Sequence, residues 1–248
     1  MALTKTMLMA TCKICQDSYH DLDPRDDVYQ VSDRRTDAQA TVVAEADSDT
    51  VFVAFRGTSS RADWVRNSEM WMAKTRFGHA HAGFLRQFRA IIDPIVQILK
   101  DLGVSTKRLV LTGHSLGGAI AVIAAPFLAD VFIDKEIDVI TYGAPKAANN
   151  KFRETMKQNP RIRVLQVVHV SDPVPYVPTF FMVRYRHPEG SILKIRNDAT
   201  YEIVERLGAS VSRCFDALTG TDEVLEIPAH QLGSYLRIVA ALEMGLDA

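Results

Sequence analysis

The hexapeptide Gly113-His114-Ser115-Leu116-Gly117-Gly118 sets a serine between glycines two positions away on either side. A serine on a sharp strand-to-helix turn projects its hydroxyl clear of the backbone. The free N–H groups of the new helix then face any negative charge that develops on an attacked carbonyl oxygen. Small residues at 113 and 117 keep so tight a turn from clashing with itself. The flanks supply the context that such a nucleophile elbow requires. Arg108–Thr112 reads as a strand, and the eleven apolar residues Ala119–Ala129 read as a buried helix. The plainer alternative is a glycine-rich loop opening a helix. Pro126 is expected to kink or end that helix after a few turns.

A serine hydroxyl is a weak nucleophile until a histidine takes its proton, and the histidine needs a carboxylate to orient it. For an elbow of this kind the chain order is serine, then acid, then histidine. That order disfavours His20, His79, His81 and His114 as the base. His169 lies inside an apolar strand pattern and reads as a hydrogen-bonded core histidine. Of the two that remain, His187 stands beside Pro188 among basic residues and reads as the cap of a solvated loop. His230, in the loop Ile227-Pro228-Ala229-His230 before the last helix, is the favoured base. Asp172 is the favoured acid. It directly follows the strand pattern Ile162–Val170, and catalytic groups of open α/β sheets gather at the carboxyl ends of strands. An aspartate capping a turn before proline is the alternative reading there, and Asp198, Asp216 and Asp222 are weaker candidates.

The elements that must position these groups are legible as alternating strands and helices. Strands are expected at Thr41–Ala46, Val51–Arg56, Arg108–Thr112, Ile137–Tyr142 and Ile162–Val170. The central ones are apolar on both faces, which suits a mostly parallel sheet covered by helices on both sides. Helices are expected at Phe84–Leu102, Ala147–Gln158 and about Gln231–Met244. Pro188-Glu189-Gly190, between Phe181–Arg186 and Ser191–Arg196, predicts a hairpin. The fold class is α/β, as one domain of 248 residues.

Composition removes several other classes. The chain is 47% hydrophobic and 24% charged, which excludes a disordered chain. Twenty-nine basic against thirty acidic residues lack the clustered positive charge of a nucleic-acid protein. Residues 151–196 hold nine basic against three acidic side chains, read as a solvated basic face with attraction to anionic lipid as a second meaning. Three cysteines argue against a disulfide framework. Cys12-Lys13-Ile14-Cys15 lacks a second pair for zinc, and reads as a reduced structural pair rather than a redox site. No signal-peptide pattern or apolar run of spanning length is seen, so a cytoplasmic location is expected.

With Ser115, Asp172 and His230 in place, the sequence resembles the class 3, fungal-type triacylglycerol lipase family. Val53-Ala54-Phe55-Arg56-Gly57-Thr58 is similar to the family's Phe-Arg-Gly-Thr/Ser segment, and His81-Ala82-Gly83-Phe84 to its His-x-Gly-Phe. Tyr142-Gly143-Ala144-Pro145 with Asn149 is similar to its Tyr-Gly-x-Pro…Asn stretch, and Asp172-Pro173-Val174-Pro175 to its Asp-x-Val-Pro. His230 and Tyr235 loosely echo the catalytic histidine and the helix behind it.

The resemblance implies an α/β-hydrolase fold with a mostly parallel central sheet, helices on both faces and a short lid. It implies a carboxylic ester hydrolase acting on acylglycerols or similar acyl esters through an acyl-enzyme. A phospholipase or an aryl-ester esterase with the same triad is the alternative, and a non-catalytic interaction protein on this fold is a third. Leu116 and Thr58 would donate backbone N–H groups to the oxyanion, with the Thr58 hydroxyl as a further donor. The region about 59–72 corresponds to the lid, with Trp64, Val65 and Trp71 toward substrate; a core-packing helix is the other reading of that segment. Asn67 stands where members often carry Asp. No metal or other cofactor is implied, and the expected partners are an acyl ester or lipid substrate and transient contact with a lipid surface.

Overall fold

Leu109, Val110 and Leu111, apolar on consecutive positions, are buried on both faces of a central strand. The computed structural model describes residues 4–20, 27–44, 49–57, 71–102, 108–178, 185–207 and 228–243. The main sheet contains β1 (Val28–Asp33), β2 (Ala38–Ala44), β3 (Thr50–Phe55), β6 (Arg108–His114), β7 (Glu136–Tyr142), β9 (Ile162–His169), β11 (Ser191–Ile195) and β12 (Tyr201–Val204), side by side in that order. From β3 to β11 the neighbours run parallel, and the pairs at either margin are antiparallel. A second, antiparallel sheet joins β4 (Met72–Thr75), β5 (Gly78–His81), β8 (Ala148–Asn149) and β10 (Tyr185–Arg186).

Side-chain alternation divides the core between the two faces of the main sheet. Val51, Val53, Leu109, Leu111, Ile137 and Val139 pack under α2 (Ala82–Asp101) and α3 (Leu116–Val131). Their strand neighbours Phe52, Val110, Ile140 and Tyr142 face α1 (Lys5–Asp17) and α5 (Leu232–Ala241). Covered on both faces, the strands can be apolar throughout, as their sequences require.

Three expectations need correction. The segments around Pro188-Glu189-Gly190 do not form a hairpin. Tyr185–Arg186 pairs with β8 in the small sheet, whereas Ser191–Ile195 pairs with β9 and β12 in the main one. Gly190, at φ +154°, lets the chain cross so close to Val164 that a Cβ would clash with its backbone. Of the two outcomes expected of Pro126, a kink or an end, the end is excluded, because its helix runs on to Val131 inside a shell of buried side chains. The helix expected from Ala147 begins at Asn150 as α4 (Asn150–Gln158), because residues 148–149 are taken by the small sheet.

Five of the nine basic residues in the stretch 151–196 meet acidic side chains. Arg153 and Lys157 both meet Glu189, Lys194 and Arg196 meet Glu202, and Arg163 meets Glu136 and the buried Asp138.

Candidate active site

Ser115 follows β6 directly and caps α3 with a backbone that few non-glycine residues adopt, φ +56° and ψ −126°. Such a conformation costs on the order of 1–3 kcal/mol and persists only where its surroundings hold it. They do so here. The Ser115 N–H donates to Tyr142 O at 2.9 Å, tying the turn to the neighbouring strand. A Cβ on Gly113 would strike the backbone of Gly117, and one on Gly117 would strike the Phe55 carbonyl at the end of β3. The glycines are there because the backbone of the turn and the adjacent strand end occupy that space.

The structure brings the three expected side chains together. His230 Nε2 lies 2.9 Å from Ser115 Oγ, and His230 Nδ1 lies 2.8 Å from Asp172 Oδ2. Asp172 sits in the loop after β9, and its Oδ1 accepts the Val174 N–H at 2.9 Å. His230 ends the short 3₁₀ turn Pro228–His230 that leads into α5. Facing a carboxylate, Nδ1 carries the imidazole hydrogen. Nε2 then presents its lone pair to the serine hydroxyl, as a general base requires. All three are buried: Ser115 is 6% exposed, His230 2% and Asp172 0%. Gly143, at φ +56°, belongs to the same construction. A Cβ there would lie 2.6 Å from Asp172 Oδ2 and 3.2 Å from His230 Nδ1.

Leu116 is the first residue of α3, where backbone N–H groups have no partner within the helix. Its N–H is thus available beside the serine. Thr58, Trp64 and Val65, and the lid positions 59–70, lie outside the described residues. Gly57, just before Thr58, is held against the elbow: a Cβ there would lie 3.0 Å from His114 O. Trp71 is 76% exposed at the foot of β4. Among the described residues no group of three or more His, Cys, Asp or Glu side chains could hold a metal ion.

Tyr235, which the sequence places only on the helix behind the base, is a further member of the site. Its hydroxyl donates to Asp172 Oδ2 at 2.7 Å and accepts the His169 N–H at 3.0 Å. Burial, and then the Asp172 charge, push its phenol well above the ordinary tyrosine range, so it remains a donor. The one available signal was a tyrosine five residues beyond the base on the following helix. Tyr235→Phe should lower kcat by about tenfold and destabilise the fold by about 1–3 kcal/mol, because His169 N–H loses a buried acceptor. Steady-state kinetics and urea unfolding of the same samples check both.

The other histidines are also placed. His169 is a core histidine as expected, its Nδ1 accepting from Ser171 N and its Nε2 donating to Asn197 Oδ1. His187 does not cap a solvated loop. Its Nε2 donates to Pro175 O at 2.6 Å, and burial pulls its pKa down to about 4. Cys12 and Cys15 are free, buried thiols on α1, and burial pushes Cys15 up to about 12. That suppresses the thiolate that redox chemistry needs.

Residues 52–182 match the family described as Lipase (class 3). A secreted mono- and diacylglycerol lipase A from Penicillium cyclopium is 30% identical over 213 residues, covering 78% of this chain and 64% of that protein. The chloroplastic phospholipase A1-Igamma2 of Arabidopsis thaliana is 26% identical over 166 residues, covering 53% and 31%. The chain thus spans less than two thirds of the length of either relative. Among solved structures, the triacylglyceride lipase of Rhizomucor miehei superposes with a TM-score of 0.74 at 20% identity, covering 93% of this chain and 96% of that one. This likeness shows the α/β-hydrolase fold.

Proposed function

The chain belongs to the class 3 lipase family, and on that premise we propose that it hydrolyses carboxylic esters of lipids through an acyl-enzyme on Ser115. The observation that carries the proposal is the unbroken chain from Ser115 Oγ through His230 to Asp172. Ser115 Oγ attacks the ester carbonyl while His230 Nε2 takes its proton. The same nitrogen then protonates the departing alcohol, and in the second half-reaction activates the water that releases the acid. Asp172 keeps the hydrogen on Nδ1 and stabilises the imidazolium that forms. The Leu116 N–H supplies one oxyanion donor, and Thr58 is proposed as the second. Removing one such donor typically costs about 10²–10³ in rate.

Acylglycerols are the proposed substrates, consistent with the likeness to a mono- and diacylglycerol lipase. The likeness to a phospholipase A1 favours phospholipid as the second reading. No helix among the described residues is long and apolar enough to cross a membrane. Contact with a lipid surface is proposed at the lid region 59–72, where the exposed Trp71 offers an indole of the kind that settles at membrane interfaces.

A panel of p-nitrophenyl esters of rising chain length, diacylglycerol emulsions and phosphatidylcholine vesicles tests the substrate class. Release of fatty acid from diacylglycerol faster than from phosphatidylcholine supports the proposal. Turnover of phosphatidylcholine alone favours the second reading, and no ester hydrolysis at all overturns both.

A further inference from the structure

His114 stands directly before the nucleophile as the last residue of β6, and it is fully buried. Its Nε2 lies 2.7 Å from the backbone carbonyl oxygen of His230. A carbonyl can only accept, so Nε2 carries hydrogen and the His114 ring donates. The Nδ1 of His114 lies 3.3 Å from the Tyr19 hydroxyl, which follows α1. With Nε2–H fixed by the carbonyl, Nδ1 of a neutral ring is the acceptor and Tyr19 the donor. The Tyr19 hydroxyl also sits so close to Gly57 that a Cβ there would clash with it. Tyr19 is thus wedged between the end of β3 and the ring behind the base.

His230 must hold Nε2 at Ser115 Oγ through two proton transfers. Asp172 and Tyr235 secure its ring from one end. That leaves the backbone, which belongs to a single 3₁₀ turn rather than to a strand or long helix. A ring pinned only at Nδ1 can pivot about that bond and carry Nε2 away from the hydroxyl. Misplacing a reacting group by about 1 Å can cost about 10²-fold.

We propose that His114, its ring held at Nδ1 by Tyr19, is a positioning residue that seats His230 through the His230 main-chain carbonyl. Through Tyr19 the segment after α1 becomes part of the catalytic scaffold. The inference rests on the reading of Ser115, His230 and Asp172 as the catalytic groups.

Three variants test it: His114→Leu removes the donor, His114→Gln returns an N–H near the Nε2 position, and Tyr19→Phe releases Nδ1. Initial rates are normalised to active sites titrated to completion with a fluorophosphonate. His114→Leu should lower kcat by about 10–100-fold with KM within about threefold, the range seen when partners that orient metal-bound histidines are removed. His114→Gln should recover most of the loss, and Tyr19→Phe should fall between. A kcat for His114→Leu within about twofold of the parent overturns the proposal, as does a glutamine variant as slow as the leucine one. Should His114→Leu fail to fold, a Tyr19→Phe kcat equal to the parent's does the same.

A readout independent of turnover separates this inference from the reading beneath it. The proton on His230 Nδ1, hydrogen-bonded to Asp172, is expected as a far-downfield NMR resonance. It should shift or broaden in Tyr19→Phe and His114→Leu and return in His114→Gln. An unshifted resonance in the first two overturns the positioning role even if no ester is turned over. A parent protein that shows the resonance but never labels overturns only the reading of Ser115 as nucleophile.

Discussion

Ser115→Ala should lower kcat by about 10⁴–10⁶ while leaving the fold intact, because it deletes the atom proposed to form the acyl-enzyme. The geometry explains why stability is spared. Alanine and serine tolerate the φ of +56° at this position equally poorly, and both have a Cβ, so the backbone strain is unchanged. The glycines at 113 and 117 still leave the turn its space. What remains is a site with an oxyanion donor and an idle base, which for hydrolases of this type retains about 10³–10⁴ over the uncatalysed reaction. Combining the change with His230→Ala should cost little more, because base and nucleophile act as one unit. Kinetics paired with far-UV circular dichroism and urea unfolding checks the claim. A double variant far slower than either single one would contradict it.

Asp172→Asn is expected to cost about 10⁴ in kcat for a different reason, the identity of the proton on the base. The surroundings of Asp172 decide how the amide must lie. Oδ1 accepts the Val174 N–H, so the asparagine oxygen is held on that side. The amide nitrogen then takes the place of Oδ2 and points two hydrogens at Tyr235 Oη and His230 Nδ1. Tyr235 can adapt by accepting where it had donated. His230 cannot accept on Nδ1 and remain a base, since its hydrogen must move to Nε2, which then has no lone pair for Ser115. The flipped amide is worse, because it sets a donor against the Val174 N–H. Asp172→Ala, which forces no tautomer, should therefore be at least as active as Asp172→Asn despite losing more atoms. An asparagine variant that keeps more than a tenth of the parent kcat would contradict this account of the carboxylate.

The proposed catalytic groups were legible because each carried a constraint that only a few residue types satisfy. Gly113 and Gly117 announce a turn too tight for a Cβ, and Asp172 follows a strand buried on both faces. His230 was found by chain order among histidines whose other positions were poor. The central strands were legible for a related physical reason, since a doubly covered strand reads as a nearly continuous apolar run. The small sheet was not: β8 and β10 have two residues each, too few to show a period. The false hairpin around Gly190 shows the limit of local turn chemistry. The positive φ is real, but it serves a close crossing over Val164 rather than a reversal between paired strands. Tyr235 and His114 escaped because helical spacing places the one and chain order sets the other aside as a base, and neither says which atom each hydroxyl or ring nitrogen meets.

The central claim, that Ser115 is a nucleophile activated by His230, is tested most directly by intact-protein and peptide mass spectrometry after exposure to a fluorophosphonate. One adduct per chain is expected, located on Ser115, formed rapidly in the parent, absent from Ser115→Ala and strongly slowed in His230→Ala. A folded parent protein that remains unlabelled, or carries its adduct on another residue, would contradict it.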